Sequence, residues 1–278
     1  MSTNNGYNLL TVCNSSYSVF LDIWLRSLHK NINMELVKNV YIVDTGMSEE
    51  QMSFAKQFDS VKIIQTNIDG NSSSVHDQGW KNSTFCKLGH IKKVLISDRT
   101  PCLFVDVDCI FVKDFLEFLE AVRKLECDII VCDTSCRKQP SSSRYIGSFY
   151  CFLNNKKDTI KFLKNWEDKI NNDKTIKTNW RESPALTKTM REYGIKSKKT
   201  NPLSLTMIDL SKASKEKIKI AMLPESLFCR IIHSTELPDN KDPYIIHMKS
   251  DKSIGLSTIN ERINSAHAKK YVKEYLNV

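Results

Sequence analysis

No stretch of this 278-residue chain approaches the ~18 consecutive apolar residues that a membrane-spanning helix needs. The opening MSTNNGYNLL lacks the basic-then-apolar layout of a secretory signal, so the chain is expected to stay soluble where it is made. Metal-binding quartets are missing too: Cys132 and Cys136 lie close, but nothing nearby completes a CxxC pair or a Cys/His set, which speaks against zinc. There is no internal repeat, no linker stretch, no RNA-binding signature and no stripe of interleaved basic and aromatic residues. The formal net charge of +9 is therefore read as scattered, solvated lysine with a share left for a small anionic ligand, and nucleic acid is not expected as a partner.

What the chain does have is apolar material. Hydrophobic residues make up 41% of it, enough to build a core for one large domain or two small ones and to exclude intrinsic disorder. Its 9 cysteines are an odd number, and several fall inside apolar strand-like runs where a thiol packs as a small hydrophobe, a usage expected of a reducing cytoplasm.

Hydrophobic period read against breakers gives alternating strands and helices through the first half. LLTVCN (9–14), VYIVDTG (40–46) and VKIIQTN (61–67) read as buried strands, with helices at about 17–30 and 49–58 between them. The loop 69–83 leads into a helix from Thr84 to about Leu95 and then the strand CLFVDVDCIF (102–111). Repeated βαβ units of this kind imply a mostly parallel central sheet flanked by helices. Beyond them, a helix is expected at about 113–125, a strand at CDIIVCD (127–133) and a Ser-rich loop to Arg144. YIGSFYCFLN (145–154) reads as a further strand, before a helix that turns Ile160, Leu163, Trp166 and Ile170 inward. Ser183-Pro184 has the form of an N-cap followed by proline at the first helical position. Short strands at 219–228 and 244–249 and one closing helix from about Thr258 complete the reading.

The chemistry centres on Asp106 and Asp108. In one continuous strand, residues two apart point to the same side, so the two carboxylates project together. Two like charges in an apolar run demand something positive. A divalent cation that prefers oxygen ligands, Mg²⁺ or Mn²⁺, meets that demand, and open α/β sheets bind ligands at the carboxyl ends of their strands. The alternative is that one Asp caps the next turn while the other pairs with Lys or Arg.

With that motif in view, FCKLGHIKKVLISDRTPCLFVDVDCIFVKDF (85–115) resembles the core of the nucleotide-diphospho-sugar transferase family, DxD-containing glycosyltransferases of the GT-A fold. TVCNSSYSVFLDIWLRSL (11–28) is similar to the family's first strand and helix, RYIGSFYCFLN (144–154) to its strand with a Gly-Ser turn, and IIHMKS (245–250) to its late metal-binding histidine with a following lysine. These four segments stand in the family's order over roughly residues 8–250. One departure is Glu182-Ser183, where related enzymes often carry a pair such as Asp-Gln.

The resemblance implies a GT-A-type, Rossmann-like single domain: a nucleotide-binding half at about 8–133, an acceptor-side half at about 134–250 and a C-terminal helix at about 258–278. It implies transfer of a sugar from a nucleoside-diphosphate donor, UDP in most such folds, to a hydroxyl of a glycan acceptor, with Mn²⁺ or Mg²⁺ stabilising the departing diphosphate. Asp106, Asp108 and His247 would hold the metal. Thr11, Val12, Asn14, Asp44, Lys87, Asp106, Val107 and Lys249 would contact the donor, Gly147 and Ser148 would shape the acceptor side, and Glu182 would be the acidic residue at the reaction centre. The loops 69–83 and 134–144 would set acceptor and linkage. Read without the resemblance, His247 is more often a satisfied semi-buried histidine than a ligand, and Lys87 is a solvated helix lysine. Asp44 before Thr45-Gly46 is a good turn residue, Asn14 a helix cap and Glu182 a surface acid.

Two other functions share the DxD pattern. A phosphohydrolase of the haloacid dehalogenase type would carry it near its first strand followed by Thr or Val, whereas here Cys109-Ile110 follows after three βα units. A catalytically silent sugar-nucleotide-binding protein would keep the same residues without turnover.

Overall fold

The computed structural model describes residues 6–71, 77–134, 145–176, 181–195, 206–209, 217–231, 242–249 and 258–275. Residues 72–76 of the first expected specificity loop, nearly all of the second, and Cys136 lie outside them. The strands are Tyr7–Cys13 (β1), Val37–Asp44 (β2), Val61–Gln65 (β3), Cys102–Val105 (β4), Cys109–Phe111 (β5), Ile129–Asp133 (β6), Tyr145–Phe152 (β7), Thr206–Asp209 (β8), Lys219–Pro224 (β9), Arg230–Ile231 (β10) and Ile245–His247 (β11). The helices are Ser18–Asn31 (α1), Glu49–Ala55 (α2), Gln78–Phe85 (α3), Lys87–Asp98 (α4), Leu116–Lys124 (α5), Lys157–Asn172 (α6), Glu182–Glu192 (α7), Glu225–Phe228 (α8), Ile259–Ile263 (α9) and Ala266–Val272 (α10).

Eight strands form one sheet in the order β3-β2-β1-β4-β7-β6-β9-β8. The pairs among β3, β2, β1 and β4 are parallel, as is β6 with β9, while β7 runs against both its neighbours and β8 runs against β9 at the edge. All seven residues of β1 are buried because both faces of the sheet are covered, and the period-2 alternation sorts them. Tyr7, Leu9 and Cys13 join a core with Trp24, Leu25 and Leu28 of α1 and Leu116 and Leu119 of α5. Leu10 and Val12 face the other way, into a core with Leu88 and Ile91 of α4, Phe162 and Trp166 of α6 and Leu186 of α7. The expected α/β architecture, with a mostly parallel sheet between helical layers, is what the fold shows.

A second sheet has three strands in the order β10-β11-β5. Phe20 and Ile23 of α1, Ile110, Ile246 and Met248 pack there against Ile263 of α9, Val272 at the end of α10 and Tyr275 beyond it. Full burial of Phe20 and Ile110 contributes roughly 1.5–3 kcal/mol each, enough to fasten the C-terminal helices to this sheet.

Four local expectations are corrected. CLFVDVDCIF is two strands with a turn at 106–108: after Val105 the chain leaves the large sheet, Asp106 N–H donates to Ser148 O at 3.0 Å, and Cys109 N–H donates back to Asp106 O at 3.1 Å. The helix expected from Thr84 is α3 and α4, because Asp77 accepts from Trp80 N–H at 2.9 Å and starts a helix earlier, with a joint at Cys86. Helix α7 begins one residue before Ser183: the Arg181 guanidinium donates to carbonyls at the end of α6, which fixes the chain entry, and Glu182 takes the first helical position. The closing helix is α9 and α10, capped separately by Thr258 and Ser265.

Candidate active site

The carboxyl ends of β2, β1 and β4 lie side by side, which brings Asp44, Asn14 and Asp106 to one edge of the sheet. Two of these side chains do local work there. Asp44 Oδ1 accepts from the N–H groups of Gly46 and Met47 at 2.8 and 2.7 Å, holding a turn that Gly46 completes at φ +112. Asn14 accepts from Ser16 N–H at 3.0 Å and donates to Gly70 O at 2.6 Å. Thr11 and Val12 are buried within β1, and the Thr11 hydroxyl has no hydrogen-bond partner among the described residues.

Asp106 faces Lys87, the first residue of α4. The Lys87 ammonium donates to Asp106 Oδ1 at 2.7 Å and to Glu182 Oε2 at 3.1 Å, and it stands over the Phe104 ring at 4.8 Å. The other Glu182 oxygen accepts from Tyr150 OH at 2.9 Å, while Trp166 Nε1–H donates to the Glu182 carbonyl at 3.0 Å. Gly147 is required beside this carboxylate, since a Cβ there would come within 2.7 Å of Glu182 Oε2. Burial lowers a lysine pKa, but Asp106 and then Glu182 outweigh it, so Lys87 is held well above its usual value and stays charged. For Glu182 burial is the largest influence and pushes its carboxyl up, with Asp106 adding to the rise; Lys87 and the Tyr150 hydroxyl only partly offset it.

Asp108 meets His247 through strand register. β5 pairs antiparallel with β11 so that Cys109 stands opposite His247, and Met248 N–H donates to Asp108 O at 2.8 Å. Asp108 Oδ1 is 3.3 Å from His247 Nε2, and Asp108 Oδ2 accepts from the Arg262 guanidinium of α9. Burial pushes the Asp108 carboxyl up, but His247 and Arg262 pull it further down, so it is held well below the usual carboxylate range. His247 Nδ1 is buried without a hydrogen-bond partner among the described residues.

These groups pass a test for a hard divalent ion in part. Two ligands in adjacent octahedral positions at about 2.1 Å from an ion are about 3 Å apart, close to the Asp108–His247 separation. Cys109 completes the cluster of potential ligand atoms within 4.8 Å of one another. The Cys109 thiol is buried and hydrogen-bonded with Cys229, while the carboxylate oxygen and imidazole nitrogen are donors suited to Mn²⁺ or Mg²⁺. Asp106 falls outside this cluster because the chain breaks between the two aspartates; shared projection from one strand is not how they are arranged.

The remaining candidates are placed as follows. Val107 is buried in the turn, Lys249 is exposed beyond the end of β11, and Ser148 is buried with its Oγ 3.6 Å from Cys229 Sγ. Arg262, Tyr150 and Trp166 were not singled out for the site from sequence. Trp166 carried a signal as an inward position of an amphipathic helix, Tyr150 is one aromatic among several in β7, and Arg262 lies 154 residues from its partner Asp108 with no motif around it.

A model of the nucleotide-diphospho-sugar transferase family matches residues 48–256, a span that contains Lys87, Asp106, Asp108, Glu182 and His247. No curated protein matches the chain. In three dimensions it is similar to a solved structure of the galactosyltransferase LgtC in complex with donor and acceptor sugar analogues, with TM-score 0.58 and 10% sequence identity over 96% of this chain and 95% of that one. At that identity the likeness speaks for the fold.

Proposed function

Because this chain belongs to the nucleotide-diphospho-sugar transferase family and is a glycosyltransferase, we propose that it moves a sugar from a UDP-sugar to a hydroxyl of a glycan with the help of Mn²⁺ or Mg²⁺. The observation that carries this reading is the antiparallel register of β5 and β11, which sets Asp108 against His247 at the end of the DxD turn. Family membership leaves the phosphohydrolase reading without support.

Asp108 and His247 would hold the metal, with Asp106 reaching it or the ribose from the other end of the turn. When bound, the ion offsets charge on the departing diphosphate. The chain's own groups do the rest. Lys87 remains charged beside Asp106 and offers a cation at the sheet edge where a diphosphate would lie. Glu182 is the acidic residue we place at the reaction centre, its two oxygens fixed by Lys87 and Tyr150 and its approach kept open by Gly147. Such fixation limits the reorganisation needed when charge develops on the sugar. Asp44, Asn14, Thr11, Val12 and Val107 supply the strand ends and turn against which a nucleoside would rest, Lys249 a further cation, and Ser148 the carbonyl that anchors the turn on the acceptor side.

Among the described residues no helix is long and apolar enough to cross a membrane. Cys13, Cys86, Cys102, Cys109, Cys127, Cys151 and Cys229 are free thiols, which supports work in a reducing compartment such as the cytoplasm. The test is a panel of sugar nucleotides incubated with the enzyme and Mn²⁺ or EDTA. Slow release of nucleoside diphosphate from one donor, abolished by EDTA, is the expected result. Absence of turnover with every donor, together with undiminished donor binding, would favour the silent binding protein instead.

A further inference from the structure

Arg262 lies at the end of α9, outside every segment that carried the family resemblance, yet it is built directly into the candidate metal site. Its guanidinium is buried. It donates to Asp108 Oδ2, its Nε donates to Met248 O at 2.5 Å, and its plane stands over the Phe20 ring at 4.4 Å. The helix that presents it is fixed at its start by a reciprocal cap between Thr258 and Glu261 and on its buried side by Ile263. Asp108 therefore has each oxygen assigned: Oδ1 faces His247 Nε2 and Oδ2 is bound by a fixed positive charge.

A carboxylate at a buried strand end cannot stay ionised without a counter-charge. Here a counter-charge is supplied from 154 residues away by a side chain whose forked donors bridge the carboxylate and a backbone carbonyl of the adjoining β11 end. The same charge stands next to the place where a divalent ion would meet Asp108 and His247, and like charges that close in a poorly solvated site oppose each other. Resting on the metal reading given above, we propose that Arg262 is the counter-ion of Asp108: a positioning residue that holds the ligand carboxylate in place and competes with the divalent ion for it.

The consequence is opposite to that of a merely structural clasp. Removing a clasp loosens the site and weakens metal uptake, whereas removing a competitor tightens it. The experiment is calorimetric titration of Mn²⁺ into the metal-free full-length chain, with melting curves in EDTA and in saturating Mn²⁺. Arg262→Gln is expected to bind Mn²⁺ about tenfold more tightly than the wild type. It should also melt lower in EDTA, with the gap to wild type narrowing when Mn²⁺ is saturating. Arg262→Lys keeps a charge but cannot bridge Asp108 and Met248 O with one fork, so it too should bind Mn²⁺ more tightly, by about threefold. It serves if the glutamine variant does not fold. Equal or weaker Mn²⁺ affinity in either folded variant overturns the proposal while leaving the metal reading intact. No Mn²⁺ uptake by the wild type, under conditions where Asp108→Asn shows the same flat titration, removes the metal reading and the proposal together.

Discussion

Glu182 shows how much one side chain's surroundings decide. Burial dominates and its carboxyl is pushed up to about 7, from an ordinary value of 4.5. The folded chain thus holds this proton more tightly than the unfolded one, and the sign follows: stability falls as the pH rises through that window. Urea midpoints at about pH 5 and about pH 8 should therefore drop further for the wild type than for Glu182→Gln, which has no proton to lose. An equal drop in both proteins would show that Glu182 titrates as an exposed acid. At this scale the sequence was legible where chemistry sat in a compact motif. Asp108 stood out in the DxD pattern and His247 through the family resemblance, and the structure sets them together. Arg262 and Tyr150 did not, because their importance arises from contacts across 154 and 32 residues that no local pattern encodes. The bland readings of Asp44 and Asn14, a turn residue and a cap, describe what those side chains do in the fold, whatever they also offer a ligand.

Between the residues and the site stand strand β7 and helix α7, packed so that Gly147 of one meets Glu182 of the other. A methyl group at position 147 would intrude on Glu182 Oε2, and this carboxylate is tied to Lys87 and Tyr150, so it cannot swing aside without losing a partner. Gly147→Ala is expected to cost about 1–3 kcal/mol as an overpacked site, read from the denaturation midpoint, and to lower kcat more than it raises KM for the donor. Retention of wild-type kcat with wild-type stability would show that the Glu182 position is not critical. Element types were largely visible in advance because β1, β2, β3 and the helices between them follow clean hydrophobic periods. The breaks were not. A ten-residue apolar run looked like one strand, but the charges in it are settled by a turn that sends Asp106 to Lys87 and Asp108 to a different sheet. The Ser183-Pro184 signal was outweighed by Arg181, whose bonds to the end of α6 start α7 two residues sooner.

For the molecule as a whole, the alternation of strands and helices in the first half predicts parallel neighbours, and β3, β2, β1 and β4 are parallel. The reversed β7 and the edge strand β8 follow from pairing choices between distant segments, which hydrophobic period does not record. That reversal matters for function: with β7 beside β4, the Ser148 carbonyl is available to catch Asp106 N–H and end the strand at the sheet's ligand-binding edge. The small sheet then carries Asp108 to His247, and the C-terminal helices close over it with Arg262. The whole account rests on this corner binding a nucleoside diphosphate through a divalent ion. Calorimetric titration of UDP into wild type and Asp108→Asn, each in Mn²⁺ and in EDTA, addresses it most directly. The account predicts that wild type binds UDP at least about tenfold more tightly in Mn²⁺ than in EDTA, and that Asp108→Asn binds weakly in both. UDP binding by Asp108→Asn as tight as wild type in Mn²⁺ would contradict it.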